Sequence, residues 1–480
     1  MKHFLVVGAG LGGLAIAARL AHRGHRVTVF EKGDRVGGRN RRYVRDGFDF
    51  DGGPTLLMML DPFRKLYADL GETFETHVPI SRCDPSYRVY FGDSTQFLGT
   101  TNVSEMMAQM VSMGASRDAV RYPRFLASLA DLYHVAVPKF VRNTYDSLGS
   151  YASPDRLWAV VRHRMMGNYG RRLERLVEDE RLRMLFSFQT MYLGLSPFDA
   201  PWVYSVLAYM EYGEGIWYPK GGLPAITESV ADLARSRGAE IHLSTAVCKV
   251  EGKRVFLESG ETVEGDAVLC NADLPYAQQS LIRQPYDSKK VHSCSALVAY
   301  VGYDGNIPEL LHHNVFFGKD FRGNLDSIFH RLEVPSDPAF YACMSTKTEP
   351  SRAPEGKSTL FLLIPCPNLD HSYQAAELPE LLNQAYLRLE KETSFSRSKV
   401  LFEETFSPQD WFSDLNLSKG ATFGLSHILQ QSAFFRSKNR EKTVPGMYYV
   451  GASTAPGNGL PMVLISAELL EMRLEKDGLL

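Results

Sequence analysis

The chain has 480 residues, 44% hydrophobic and 22% charged, with Lys+Arg 53 against Asp+Glu 55 and a formal net charge of −2. This excludes a largely disordered chain, which lacks the apolar material to offset ordering. It also excludes nucleic acid as the main partner, because no global positive field exists to hold a phosphate backbone. At ~150 residues per domain the length predicts about three domains, or one large α/β core with insertions. The six cysteines, Cys83, Cys248, Cys270, Cys294, Cys343 and Cys366, show no CxxC spacing. A disulfide scaffold or zinc ribbon is therefore not expected, and reduced cytosolic thiols are.

The first element to interpret is FLVVGAGLGGLAIAA at 4–18, wholly apolar or glycine. It falls short of the ~20 residues needed to span a bilayer. Its glycines are placed for a turn, and no longer apolar run follows, so no transmembrane helix is expected. The pattern predicts a strand at 4–7, a helix at 11–23 ended by Gly24, and a strand at 27–30. Residues 34–100 read as loop-rich, and 101–210 as mainly helical. Within the latter, 139–175 carries eight Lys/Arg against three acids, interleaved with Phe140, Tyr145, Tyr151, Trp158, Met165, Met166 and Tyr169. Two readings stand: a solvated basic helix face, or a patch that meets a membrane surface. Strands follow at 240–243, 246–250, 255–257 and 267–270, then at 295–303, 315–317 and 359–365. A last strand at 447–450 runs into Gly451, and a helix starts at Pro461. No proline-rich linker divides the chain, so its domains are expected to interleave.

Chemistry enters at Gly8-Ala9-Gly10-Leu11-Gly12-Gly13, which fits GxGxxG between a strand and a helix. Gly8 permits the tight turn, Gly10 lets main chain approach a pyrophosphate, and Gly13 lets helix and strand pack closely. The helix N-terminus then offers free N–H groups to the phosphates. Glu31 closes the second strand, where a carboxylate accepts ribose hydroxyl protons. Gly37, Gly38 and Arg39 follow at once, adding close backbone approach and a cation for a second phosphate contact.

This extension resembles that of flavoproteins in the amine oxidase and carotenoid desaturase superfamily, where it adjoins the FAD pyrophosphate. Further segments resemble the superfamily in the same order. DGGPT at 51–55, with Gly53, Pro54 and Thr55, is similar to its loop near the flavin, and GIWYPKGG at 215–222 to its lead into the second half of the FAD domain. Val247 in TAV lies where a valine's backbone groups bind adenine, and DAVLCNAD at 266–273 resembles the strand that re-enters the FAD domain. Most specifically, GMYYVGASTAPGNGLP at 446–461 is similar to the signature of bacterial and fungal phytoene desaturases. So are FRSKNR at 435–440, EDERLR at 178–183 with FSF at 186–188, and APEG at 353–356. Two positions depart from the family: Ala455, where it usually has His, and Asn458, which replaces a small residue.

The resemblance covers essentially the whole chain. It implies FAD, held by Gly8, Gly10, Gly12, Gly13, Glu31, Gly37, Gly38, Arg39, Gly53, Pro54, Thr55, Val247, Gly451, Ala452, Gly459, Pro461 and Met462. It implies an α/β fold with a Rossmann-type FAD-binding domain built from segments 1–80, 222–285 and 425–480. A mixed-sheet substrate domain would come from 81–100 and 286–424, and a helical insert at 101–221 would dock on the membrane. The implied activity is desaturation of a long apolar polyene such as phytoene, towards lycopene, by hydride transfer to flavin and proton loss. A quinone or O2 would accept the electrons, and the protein would be cytoplasmic and peripherally membrane-associated. A C30 diapophytoene, a hydroxylated carotenoid, isomerisation or saturation remain open, as do a flavin amine oxidase and a non-catalytic FAD scaffold.

No catalytic base stands out, and the oligomeric state is left open. Asp179 and Glu180 read as a general base or as an exposed helix surface, with Arg183 as an ion-pair partner for either. No metal is expected: the histidines lack HExxH spacing, and His312-His313 reads as a surface or packing pair.

Overall fold

Five short strands line up in parallel in the spatial order Met447–Tyr449, Ala267–Cys270, His3–Val7, Arg26–Phe30 and Glu240–His242. The computed structural model that defines them describes residues 1–143, 149, 153–285, 287 and 289–480. The central strands are buried on both faces, which is why they read as continuous apolar runs and not as alternation. One face is covered by the helix Leu11–His22, with Pro224–Ser236 and Leu460–Lys476 packed against it. Arg19, 6% exposed, ties this layer together through ion pairs to Asp69 at 2.7 Å and Glu471 at 2.9 Å. On the opposite face an antiparallel meander, Val247–Glu251, Arg254–Leu257 and Thr262–Glu264, buries Leu5, Val7, Phe30 and Cys270.

A second, seven-stranded sheet runs Val400–Phe406, Ser295–Asp304, Lys357–Cys366, Phe340–Cys343, His313–Phe316, Tyr87–Tyr90 and Gln96–Gly99. It is mixed: Tyr87–Tyr90 pairs parallel with His313–Phe316, and the other neighbours pair antiparallel. Its two longest strands pair along their whole length, from Ser295↔Cys366 to Asp304↔Lys357.

The loop-rich expectation for 34–100 needs correction. That stretch holds the helix Asp61–Asp69 and the strands Arg42–Arg45, Phe48–Asp51, Ile80–Cys83, Tyr87–Tyr90 and Gln96–Gly99. Four residues are too few to display a period, and two of these strands find their partners far away, at Ile216–Pro219 and His313–Phe316.

The block at 101–210 is helical, with Val103–Ser112, Ser116–Ala136, Pro154–His163, Tyr169–Leu176 and Glu180–Leu185. Tyr145 and Tyr151 lie outside the described residues. Asp179 caps the last of these helices, accepting the N–H groups of Arg181 at 2.8 Å and Leu182 at 3.4 Å. Its ion pair forms with Arg181 at 2.7 Å, not with Arg183, and Glu180 is exposed. Among the described residues no helix is long and apolar enough to cross a membrane.

Candidate active site

The carboxyl ends of three adjacent parallel strands bring Gly8, Asn271 and Gly451 to one edge of the sheet, the position where open α/β sheets bind ligands. Close approach here tolerates no side chains. A Cβ on Gly10 would lie 2.7 Å from Asn271 Oδ1, and Cβ atoms on Gly12 and Gly451 would lie 2.8 and 2.6 Å from Asn271 Nδ2. A Cβ on Gly13 would collide with the carbonyl oxygen of Gly8. Asn271 Nδ2 donates to Val450 O at 3.0 Å, joining the first turn to the C-terminal motif. Gly10, the residue before the helix Leu11–His22, has no capping side chain. The first-turn N–H groups therefore stay available for an anion.

Glu31 sits beside this turn. Its two carboxylate oxygens accept the N–H groups of Ala9 and Gly33, each at 2.8 Å, and keep further lone pairs for hydroxyl donors. Thr245 N–H donates to Glu31 O at 2.7 Å, which places Val247, 8% exposed, next along the chain. Gly37 N–H donates to Ala9 O at 2.9 Å, and a Cβ on Gly38 would lie 3.6 Å from Gly10 Cα. Arg39 donates Nη1 to Thr422 O at 3.1 Å and makes no ion pair among the described residues. Burial weakens its hold on its proton, and Asp273 nearby strengthens it. A glycine cradle, an uncapped helix and an enclosed arginine together fit a diphosphate with a ribose on Glu31.

The C-terminal motif is held by its main chain. Gly451 N–H donates to Ser466 Oγ at 3.1 Å, and Ala452 O accepts from Arg436 Nη2 at 2.7 Å. Asn439 Nδ2 donates to Tyr449 O at 3.0 Å. Arg436 and Asn439, both from FRSKNR, are therefore braces for the motif. The last helix begins at Leu460, one residue earlier than expected, with Pro461 in its first turn and Gly459 before it at φ +101°. Gly459 supplies no capping acceptor, so the first-turn N–H groups stay open where Gly459, Pro461 and Met462 line a cavity.

The motif has Ala455 in place of a histidine; an imidazole from another stretch reaches the same turn at Asn458, whose N–H donates to His427 Nε2 at 3.5 Å. Burial holds His427 neutral. Asn458 is 5% exposed, and its Oδ1 has no partner among the described residues. A buried, unpartnered amide oxygen beside open N–H groups suits the hydrogen-bonding edge of a flavin ring.

The cavity has a volume of 410 Å³. Its wall includes Gly53, Pro54, Thr55 and the 456–462 turn, Phe140, Val160, Met165 and Met166 of the helical block, and Val315 and Leu363 of the mixed sheet. Few polar groups reach it. Thr55 Oγ1 donates to Tyr341 OH at 2.9 Å, and Tyr341 OH bonds His313 Nδ1 at 2.6 Å. His312 and His313 are buried, their rings 4.2 Å apart, and burial lowers His312 to about 3. With Cys83 they bring three metal-ligating atoms within 4.8 Å of one another, a cluster that sequence spacing did not reveal.

Glu211 was also missed. It is fully buried, and its carboxylate accepts Tyr192 OH at 2.6 Å, Gln189 Nε2 at 2.6 Å and Tyr87 OH at 3.2 Å. Burial pushes it up to about 7, against the pull of these donors. The available signal was an acid set inside the otherwise aromatic and apolar run Tyr209–Tyr212.

Residues 11–469 match the family model of the flavin containing amine oxidoreductases. A zeta-carotene-forming phytoene desaturase from Myxococcus xanthus is 41% identical, over 98% of this chain and 94% of that protein. The chain belongs to the phytoene desaturase family within the flavin-containing amine oxidoreductases. A 4,4'-diapophytoene desaturase (4,4'-diaponeurosporene-forming) from Staphylococcus haemolyticus is 32% identical over 98% of each chain. Among solved structures, an oxidoreductase from Methanosarcina mazei superposes with a TM-score of 0.64 at 16% identity, over 98% of this chain and all of that one. That last likeness establishes the shared α/β fold alone. The family is flavin-containing, and the cofactor is FAD.

Replacing Glu31 with Ala removes the charged acceptor for the ribose and should weaken FAD binding by ~1.5–3 kcal/mol, about 10- to 150-fold in Kd. Flavin absorbance after dialysis measures this; full occupancy of Glu31→Ala would contradict the placement.

Proposed function

We propose that this protein is an FAD-dependent carotenoid desaturase that introduces C=C bonds into phytoene, towards lycopene. The observation that carries this reading is the cavity: a continuous wall of aliphatic, methionine and aromatic side chains runs from the flavin loop at Gly53–Thr55 into the helical insert. Such a wall suits a long polyene and gives a polar amine no counter-charge. In this reading segments 1–80, 222–285 and 425–480 form the FAD domain, 81–100 and 286–424 the substrate domain, and 101–221 the insert.

Bound FAD supplies the hydride acceptor. The chain's contribution is position and dryness. Gly8, Gly10, Gly12, Gly13, Glu31, Gly37, Gly38, Arg39 and Val247 would hold the ADP half. Gly53, Pro54, Thr55, Gly451, Ala452, Gly459, Pro461 and Met462 would surround the ring. The open N-terminus of the helix Leu460–Lys476 would favour negative charge on a flavin held there. The apolar walls keep water from the allylic cation left when hydride departs.

The same cavity reaches the surface beside Met166, which lines it and is 52% exposed. Next to it, on the helix Pro154–His163, Val160 faces the cavity, while Leu157, Trp158 and Val161 are exposed at 52%, 63% and 76%. Arg156, Arg162 and Arg164 flank them. Apolar side chains among cations are the pattern of a surface that lies in the headgroup region of an anionic bilayer. We therefore place the protein at the cytoplasmic membrane surface, drawing substrate from the bilayer, with a quinone or O2 taking the electrons.

Expressed in cells that accumulate phytoene, the chain should consume it and yield yellow to red pigments, identified by chromatography. Colourless cells there, with colour in cells making diapophytoene, would contradict the C40 reading in favour of the C30 one. Replacing Trp158 and Val161 together by Glu should weaken co-sedimentation with anionic liposomes by about ten-fold or more, ~1.4 kcal/mol, with FAD retained. Unchanged co-sedimentation would contradict the membrane assignment.

A further inference from the structure

Glu211 poses a problem that the cofactor does not solve. A buried carboxyl is costly unless something compensates it, and the usual compensation is a cation. No lysine, arginine or histidine pairs with Glu211 among the described residues. Every group that faces it is neutral: Tyr192 and Gln189 from the turn Phe188–Leu193, Tyr87 from its strand, the adjoining Tyr212, and Tyr169 from the helix Tyr169–Leu176. Tyr87 and Tyr212 are hydrogen-bonded to each other, and Gln189 Nε2 also donates to Leu185 O at 3.0 Å. The carboxyl is thus held in one orientation by donors that cannot neutralise it.

One of those donors reaches the cavity. Tyr192 lines it and donates its O–H to Glu211 Oε1 at 2.6 Å. Tyr192 also lies close enough to Tyr341 for the two to interact electrostatically, and Tyr341 bonds Thr55 of the flavin loop at 2.9 Å. Tyr192 thus shares the cavity lining with Tyr341 and Thr55 of the flavin loop, with the Glu211 carboxylate one hydrogen bond behind its hydroxyl.

We propose that Tyr192 and Glu211 form the proton acceptor of the dehydrogenation, Tyr192 as the catalytic residue and Glu211 as the positioning residue that receives the relayed proton. The inference rests on the desaturase reading. In the step, the substrate loses a hydride with its electron pair to the flavin, leaving an allylic cation. The C–H bond on the neighbouring carbon then breaks, and its electron pair becomes the new C=C bond. Its proton passes to the Tyr192 oxygen while the Tyr192 proton passes to Glu211 Oε1. The product is a polyene shorter by two hydrogens, a flavin reduced by two electrons, and a neutral carboxylic acid. After product leaves, the proton returns through Tyr192 to the cavity and solvent. Burial, which pushes Glu211 up to about 7, makes it a better acceptor than an exposed carboxylate while leaving much of it ionised near neutrality.

Single-turnover product formation from phytoene in liposomes, measured against pH with the FAD-loaded protein, tests this. The wild-type rate should rise with pH to a plateau, with a midpoint near 7. Glu211→Gln should keep FAD and phytoene binding, slow the turnover by about 10²-fold or more, and lose that midpoint. Tyr192→Phe leaves the carboxyl in place behind the cavity wall and carries the test if Glu211→Gln fails to fold; it should slow turnover similarly. A wild-type rate in either folded variant, or a wild-type pH midpoint in Glu211→Gln, would overturn the inference alone. Wild-type protein that converts neither phytoene nor diapophytoene would overturn the desaturase reading, and this inference with it.

Discussion

The cofactor end of this molecule depends on side chains that are not there. Three main-chain segments, from residues 8–13, 271 and 450–451, converge so closely that a Cβ at Gly10, Gly12, Gly13 or Gly451 would meet a neighbour's atoms at less than 3 Å. Asn271 fills the centre and bonds Val450 O. Convergence of this kind leaves the edge rich in unpaired N–H groups and low in bulk, and that combination can accept a dinucleotide. The braces around it, Arg436 on Ala452 O and Asn439 on Tyr449 O, keep the C-terminal segment in place without occupying the space.

From that polar edge the character of the protein changes within a few residues. Beyond Thr55 and the turn at 456–462 the walls become aliphatic and aromatic, and Thr55, Tyr341 and His313 are tied to one another. A site that must remove two hydrogens from an apolar polyene needs this contrast. Charge is handled at the ring, while the substrate stays dry. Glu211 is the exception that gives the contrast its chemistry, a carboxyl kept inside the apolar region by neutral donors at the cost of burying an unpaired acid.

How much of this could be read in advance follows from where each signal resides. The strand–glycine–helix–strand start is local, so Gly8 to Glu31 appeared in the sequence and the structure places Glu31 against Ala9 N–H. The C-terminal strand, turn and helix were equally legible, because Gly459 and Pro461 punctuate the start of the helix. Pairings across long stretches were not. The short strands between residues 42 and 99 looked like loops because their partners lie at Ile216–Pro219 and His313–Phe316. His427 against the turn at Asn458 was invisible for the same reason, since it comes from another segment of the chain. Glu211 could have been suspected from its apolar setting, but its link to the cavity runs through Tyr192, which only the fold brings near.

The most direct measurement is the visible spectrum of the purified, FAD-loaded protein mixed without oxygen with liposomes containing phytoene. Hydride removal from the polyene bleaches the oxidised flavin bands as conjugated product bands grow, in a fixed ratio, while a primary amine such as putrescine leaves the spectrum unchanged. Flavin bands that persist with phytoene and bleach with the amine would contradict the assignment of this cavity to a polyene.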